Sequence, residues 1–251
     1  MKIIALDSSG LVASVAIVED DNLIAGYDIQ YKKTHSQTLL PMLEEIRKMV
    51  DLDMSTVDAI ALAAGPGSFT GLRIGSATAK GLGLALNIPL IEIPTLEGLA
   101  YNAYGAKGYV CPIMDARRGQ VYTGIYEFVR SEELENDGYL LNIVEPQCAV
   151  DIEEIARKLN DLGNEVLFLG DGVSVFAGKL AEEMKVPYHF APAHMNRQRA
   201  ASLAALGIRY YKEGNYVEAK EHAPIYLRLS QAEREKKEKE AHDNHKTNDA
   251  G

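Results

Sequence analysis

The sequence predicts an α/β protein, sheet layered against helix, and three observations carry that prediction. Short apolar runs alternate with longer runs whose apolar residues recur every three or four positions. The run 64–75, Ala-Gly-Pro-Gly-Ser-Phe-Thr-Gly-Leu-Arg-Ile-Gly, joins an apolar strand to a stretch of small residues that reads as helix. A strand ending in aspartate opens a hairpin twice, at Leu6-Asp7 and at Met114-Asp115. That is weak internal pseudo-symmetry, not a sequence repeat.

In order, residues 3–6, 12–18 and 23–29 read as strands, with Glu19-Asp20-Asp21-Asn22 as the polar turn between the second and third. Residues 36–50 read as a helix with Leu39, Leu43, Ile46 and Val50 on one face. Pro41 falls in its first turn or kinks it. Residues 59–63 form the strand before the glycine-rich run. Gly65, Pro66, Gly67 and Gly71 exclude an ordinary helix or strand interior and make a tight strand-to-helix turn with exposed backbone N–H groups. Such a turn is the raw material of a phosphate cradle. Neither the Walker spacing nor G-x-G-x-x-G is present, so it matches no standard nucleotide motif.

Residues 70–86 read as the following helix. Gly71, Gly75, Ala79 and Gly83 are spaced by four and share one face. Each glycine weakens the helix, a cost easier to understand if that face packs against something: its own sheet, or another chain. Strand 90–93 follows, and 102–108 marks a boundary. The second half partly repeats the pattern, with strands at 109–114, 120–128 and 166–169, a third strand candidate at 140–148, and helices at 152–162, 173–184 and 197–213. The expected division is an N-terminal subdomain 1–105, a C-terminal subdomain 106–229 and a charged tail 230–251, read as a frayed helix followed by disorder.

Apolar residues make up 47% of the chain, enough for a substantial core, and the formal net charge is -10. An acidic chain is a poor solitary binder of nucleic acid, because contacts to phosphate dominate such affinity. No run reaches the length of a membrane span, the N-terminus lacks a signal-peptide pattern, and Cys111 and Cys148 stand apart as reduced core cysteines. A cytoplasmic protein is expected. The histidines show no chelating spacing, and His35 reads as a polar residue at a helix start, with a ligand or general-base role as the alternative.

Four segments together resemble the TsaB (YeaZ) family: Ile4-Ala5-Leu6-Asp7-Ser8-Ser9, Thr34-His35-Ser36 through Leu40-Pro41, Gly65 through Gly75, and Asp115-Ala116-Arg117-Arg118-Gly119-Gln120-Val121-Tyr122. The glycine-rich run is the specific part. The resemblance extends from Met1 to about Leu229. It implies the two-subdomain fold shared by actin, Hsp70 and sugar kinases (ASKHA). It also implies a subunit of the bacterial machinery that makes N6-threonylcarbamoyladenosine in tRNA, partnered by the catalytic paralogue TsaD and the ATPase TsaE. TsaB-like subunits pair through N-terminal helices. The resemblance therefore turns Gly71, Gly75, Ala79 and Gly83, with Leu39, Leu43 and Ile46 beside them, into an expected partner interface.

The same resemblance exposes what is missing. The paralogue holds a metal with His-x-x-x-His after the strand matching 90–93. Here Glu97-Gly98 match, but Thr95 and Leu99 stand where the histidines would be. No metal site and no cofactor are expected, apart from a nucleotide at a partner interface. In enzymes of this fold, acids at the strand ends organise metal and phosphate, so Asp7, Ser8, Ser9 and Asp115 read either as a vestigial nucleotide cleft or as turn-forming residues. The leading function is a non-catalytic subunit: a homodimer when alone, a heterodimer with TsaD, meeting tRNA mainly through the complex. The alternative is a metal-dependent hydrolase or peptidase, or a small phosphotransferase, of the same superfold.

Overall fold

A computed structural model describes residues 1–31, 34–131 and 138–228. The expected tail lies outside those residues. Two five-stranded mixed sheets organise them. The first contains β1 (Lys2–Asp7), β2 (Ala13–Glu19), β3 (Asn22–Ile29), β4 (Ala59–Gly65) and β5 (Leu90–Pro94), in the order β3-β2-β1-β4-β5. The second contains β6 (Tyr109–Asp115), β7 (Gln120–Arg130), β8 (Tyr139–Asp151), β9 (Val166–Leu169) and β10 (Tyr188–Phe190), in the order β10-β9-β6-β7-β8. Read from its other edge, the second order repeats the first. In each, the opening strand is antiparallel to the next and parallel to the fourth. The hairpin seen twice in the sequence is thus the visible part of a duplicated topology, and the molecule has the two-subdomain ASKHA fold.

The central strands are buried on both faces, which is why they read as unbroken apolar runs rather than alternating ones. Ile4 and Leu6 of β1 face one core, with α1 (His35–Met49) and α2 (Phe69–Leu86). Ile3 and Ala5 face the opposite core. β9 divides likewise: Val166 and Phe168 enter the core under α4 (Ile152–Leu162) and α5 (Val173–Glu183), Leu167 and Leu169 the core under α3 (Thr95–Ala100). Each fully buried aliphatic side chain contributes about 1.5–3 kcal/mol.

Local chemistry sets the helix ends. Ser68 caps α2 by accepting a hydrogen bond from Gly71 N at 3.2 Å, and Asn87 ends it in the left-handed region at φ 56°. Pro41 lies inside α1, exposed. The last helix, α6 (Ala200–Lys212), packs on the first sheet although it follows the second in sequence. The chain thus crosses between the sheets a second time, near 191–199. A cut at residue 105 separates the sheets but not the layers that cover them. Among the described residues, no helix is long and apolar enough to cross a membrane.

Candidate functional site

The ends of β1 and β6, the loops after β4 and β9, and the last described residues converge on a cleft of about 560 Å³ between the two sheets, a volume within the range of small-ligand pockets. Of the four residues expected to line it, two do: Ser9 and Asp115. Asp7 and Ser8 lie beneath the wall, exposed by only 2% and 3%. The cause is local. Ser9 donates to Asp7 Oδ1 through its N–H at 2.8 Å and its hydroxyl at 2.6 Å, folding the turn over the carboxylate. Ser8 Oγ donates to the Gly71 carbonyl at 2.8 Å. Burial pushes the Asp7 carboxyl up to about 6, against the opposing pull of the Ser9 hydrogen bonds.

The glycine-rich run holds that turn in place. A Cβ on Gly67 would stand 2.3 Å from the Ser9 carbonyl oxygen, and one on Gly71 would stand 2.0 Å from that of Ser8. Gly75 lies against Ser8 Oγ, 2.6 Å from where its Cβ would be. These glycines therefore admit the chain's own β1 turn. Gly65, at φ +126°, faces the Ile225 carbonyl in the same way, 2.1 Å from a notional Cβ. The loop that reads as a phosphate cradle is filled at these positions by the protein itself.

The second sheet builds its side of the cleft differently. Asp115 holds the hairpin turn by accepting from Arg117 N at 2.8 Å and pairing with the Arg117 guanidinium at 3.2 Å, while Arg117 itself stays 84% exposed. Arg117, Arg118 and Gly119 all take positive φ. After β9, Gly170 takes φ +107° and would carry a Cβ 2.1 Å from the Ile113 carbonyl oxygen, the counterpart of Gly65 after β4. Between Gly170 and Gly172, Asp171 lines the cleft and accepts from Asp115 N at 3.2 Å; burial raises its carboxyl. Sequence reasoning passed over this Gly-Asp-Gly, although its place after an apolar strand repeats that of Gly65-Pro66-Gly67.

Thr95 and Leu99, which stand where the resemblance would put a chelating pair, are both committed to the fold. Thr95 Oγ1 accepts from Gly65 N at 3.1 Å, fixing the start of the glycine-rich loop. Leu99 is 1% exposed in the core under α3. Glu97, buried and raised by that burial, is bonded by Tyr210 of α6. This set does not fit a metal, and among the described residues no group of three His, Cys, Asp or Glu could hold one.

Two histidines found partners that spacing did not show. His35 places Nε2 2.9 Å from the Gly10 carbonyl at the cleft edge. His222, 4% exposed, bridges Ser76 Oγ at 2.7 Å and the Glu92 carboxylate. Serine, histidine and carboxylate in a row have the order of a hydrolytic triad, but neither Ser76 nor His222 lines the cleft, and both are buried.

The expected partner interface needs correction. Leu39, Leu43, Ile46 and Ala79 lie inside the first core, between 0% and 4% exposed, and Gly71, Gly75 and Gly83 are buried with them. That face packs on the chain's own sheet. Helix α2 carries a second stripe of small residues with the same spacing, Ala77, Gly81 and Ala85, and this one is exposed; a Cβ on Gly81 would meet nothing within 4 Å.

A family model described as TsaD, tRNA N6-adenosine threonylcarbamoyltransferase, matches residues 29–236. The tRNA threonylcarbamoyladenosine biosynthesis protein TsaB of Bacillus subtilis is 34% identical over 233 residues, covering 93% of this chain and 96% of its own length. Its namesake in Escherichia coli is 27% identical, covering 91% and 95%. Among solved structures, YeaZ from Pseudomonas aeruginosa is 28% identical and superposes with a TM-score of 0.74 over 90% of this chain and 99% of that one. Near-complete coverage on both sides, together with the duplicated sheets and the glycine-rich run, shows that the chain belongs to the TsaB (YeaZ) family.

Proposed function

We propose that this chain is a non-catalytic partner subunit in the biosynthesis of threonylcarbamoyladenosine in tRNA. It dimerises with a TsaD-like catalytic paralogue, works with a TsaE-like ATPase, and supports transfer to the adenosine beside the anticodon. One observation carries the reading. At the two positions where the paralogue chelates metal, Thr95 is spent on Gly65 N and Leu99 on the core. The catalytic frame is kept while the residues of its chemistry serve the fold. Asp7 and Ser8, sealed under the glycine-rich loop, support a vestigial cleft, and any nucleotide would be held with a partner at their interface. The net charge of -10 supports contact with tRNA mainly through the complex, and the reading places the chain in the cytoplasm.

The partner surface is the outward side of α1 and α2. Leu40 and Leu84 are 53% and 58% exposed, and Ala77, Gly81 and Ala85 leave a groove for another backbone. Alone, the chain pairs with itself through this surface. Gly81→Arg tests it, because the substituted side chain enters open space in the monomer and leaves the core untouched. Light scattering should show loss of both homodimer and heterodimer while circular dichroism stays native. Undiminished pairing would place the interface elsewhere.

A further inference from the structure

We infer that residues 222–228 form a strap that ties α2 to the hairpin turn of the second sheet across the mouth of the cleft, and so sets how far the cleft opens. The near end is anchored in the first subdomain. His222 bonds Ser76 of α2 and Glu92 of β5, and Lys80 Nζ donates to the His222 carbonyl at 3.1 Å. In the middle, Ile225 N donates to the Ala64 carbonyl at 2.7 Å, and the Ile225 carbonyl fills the space that only glycine leaves at 65. The Tyr226 ring lies tilted by 36° against Phe69 with centroids 4.8 Å apart, and Arg73 lies over the same Phe69 ring at 3.9 Å. The far end belongs to the other subdomain: Arg228 Nη1 donates to the Ala116 carbonyl at 2.7 Å, in the turn between β6 and β7.

The reach agrees. Six residue steps at about 3.3–3.6 Å each span about 20 Å when extended, and the hydrogen bonds at the two ends show that this length of chain reaches from β5 to the β6–β7 turn. The two covalent crossings between the sheets, 95–108 and 191–199, do not line the cleft, whereas Ile225, Tyr226, Leu227 and Arg228 do. The strap also supplies a physical reason for Gly65 that owes nothing to phosphate: any side chain there would drive Ile225 off the loop.

The test is a distance measurement across the cleft. Spin labels go on Gln37→Cys in α1 and Lys185→Cys beyond α5, both exposed, in a Cys148→Ser background. The remaining Cys111 is buried with its thiol pushed up to about 12, and stays unlabelled. Arg228→Ala removes only the crossing, and a chain ending at Glu221 removes the strap entirely. Pulsed dipolar spectroscopy should show the distance distribution broadening and moving to longer distances in both, with native circular dichroism, and Arg228→Lys should recover part of the change. Should the shortened chain fail to fold, Arg228→Ala decides alone. Distributions coinciding with the parent in a folded Arg228→Ala protein overturn the proposal.

Discussion

The two sheets share one topology, yet their first hairpin turns are treated in opposite ways. In the first, the start of the turn after Asp7 is packed: Ser8 and Ser9 are buried and glycines of α2 and its preceding loop press their backbone against them, while Leu11 at the tip stays exposed. In the second, the turn after Asp115 stands open, with Arg117 in solvent and nothing within 4 Å of a Cβ at Gly119. The same fold position is a packed joint in one half and a free edge of the cleft in the other. A strand-end acid therefore does not by itself make a ligand site in this fold; the packing around it decides whether a ligand could reach it.

Breaking the packed turn should give the largest effect. Gly71→Ala puts a methyl 2.0 Å from the Ser8 carbonyl, which only a backbone shift relieves. A loss of about 3 kcal/mol or more is expected in urea unfolding. The matched change Gly119→Ala meets open space and bears only the conformational cost of φ +79°, about 1–2 kcal/mol. Equal losses would mean that the two turns are packed alike.

The next effect tests the burial of Asp7. Its folded value of about 6 lies above the ordinary 3.8. The folded state thus favours the protonated acid, and the contribution is fully present below about 3.8 and lost as pH rises through 6. Asp7→Asn keeps an acceptor for Ser9 and removes the charge. At pH 8 it should stabilise the protein by roughly 3 kcal/mol, a gain that shrinks steadily towards pH 4. A pH-independent difference would show that Asp7 is solvated.

Much of this was legible in the sequence, for identifiable reasons. The central strands announced themselves as apolar runs, and the glycine-rich turn and the doubled hairpin were local patterns. Elements of three or six residues, such as β10 and α3, are too short to show a period. Which of two small-residue stripes on α2 faces inward was also hidden, because Gly71-Gly75-Ala79-Gly83 and Ala77-Gly81-Ala85 have the same spacing; only contact with Ser8 and Leu90 distinguishes them. The bridge from Ser76 through His222 to Glu92 joins three distant segments and leaves no local signal. The same holds for α6, whose return to the first sheet is a tertiary fact.

The proposed role makes this chain a subunit with the frame of a catalytic paralogue and without its chemistry. Reconstitution tests it most directly: threonylcarbamoyl transfer to tRNA measured with this chain, a TsaD-like subunit and a TsaE-like ATPase, each omitted in turn, and with this chain alone. A non-catalytic partner should be required for transfer and show none alone, and Asp7→Asn should leave transfer in the full complex within about threefold, under 1 kcal/mol of barrier. Full transfer without this chain, transfer by this chain alone, or a hundredfold loss in an assembled Asp7→Asn complex would contradict it.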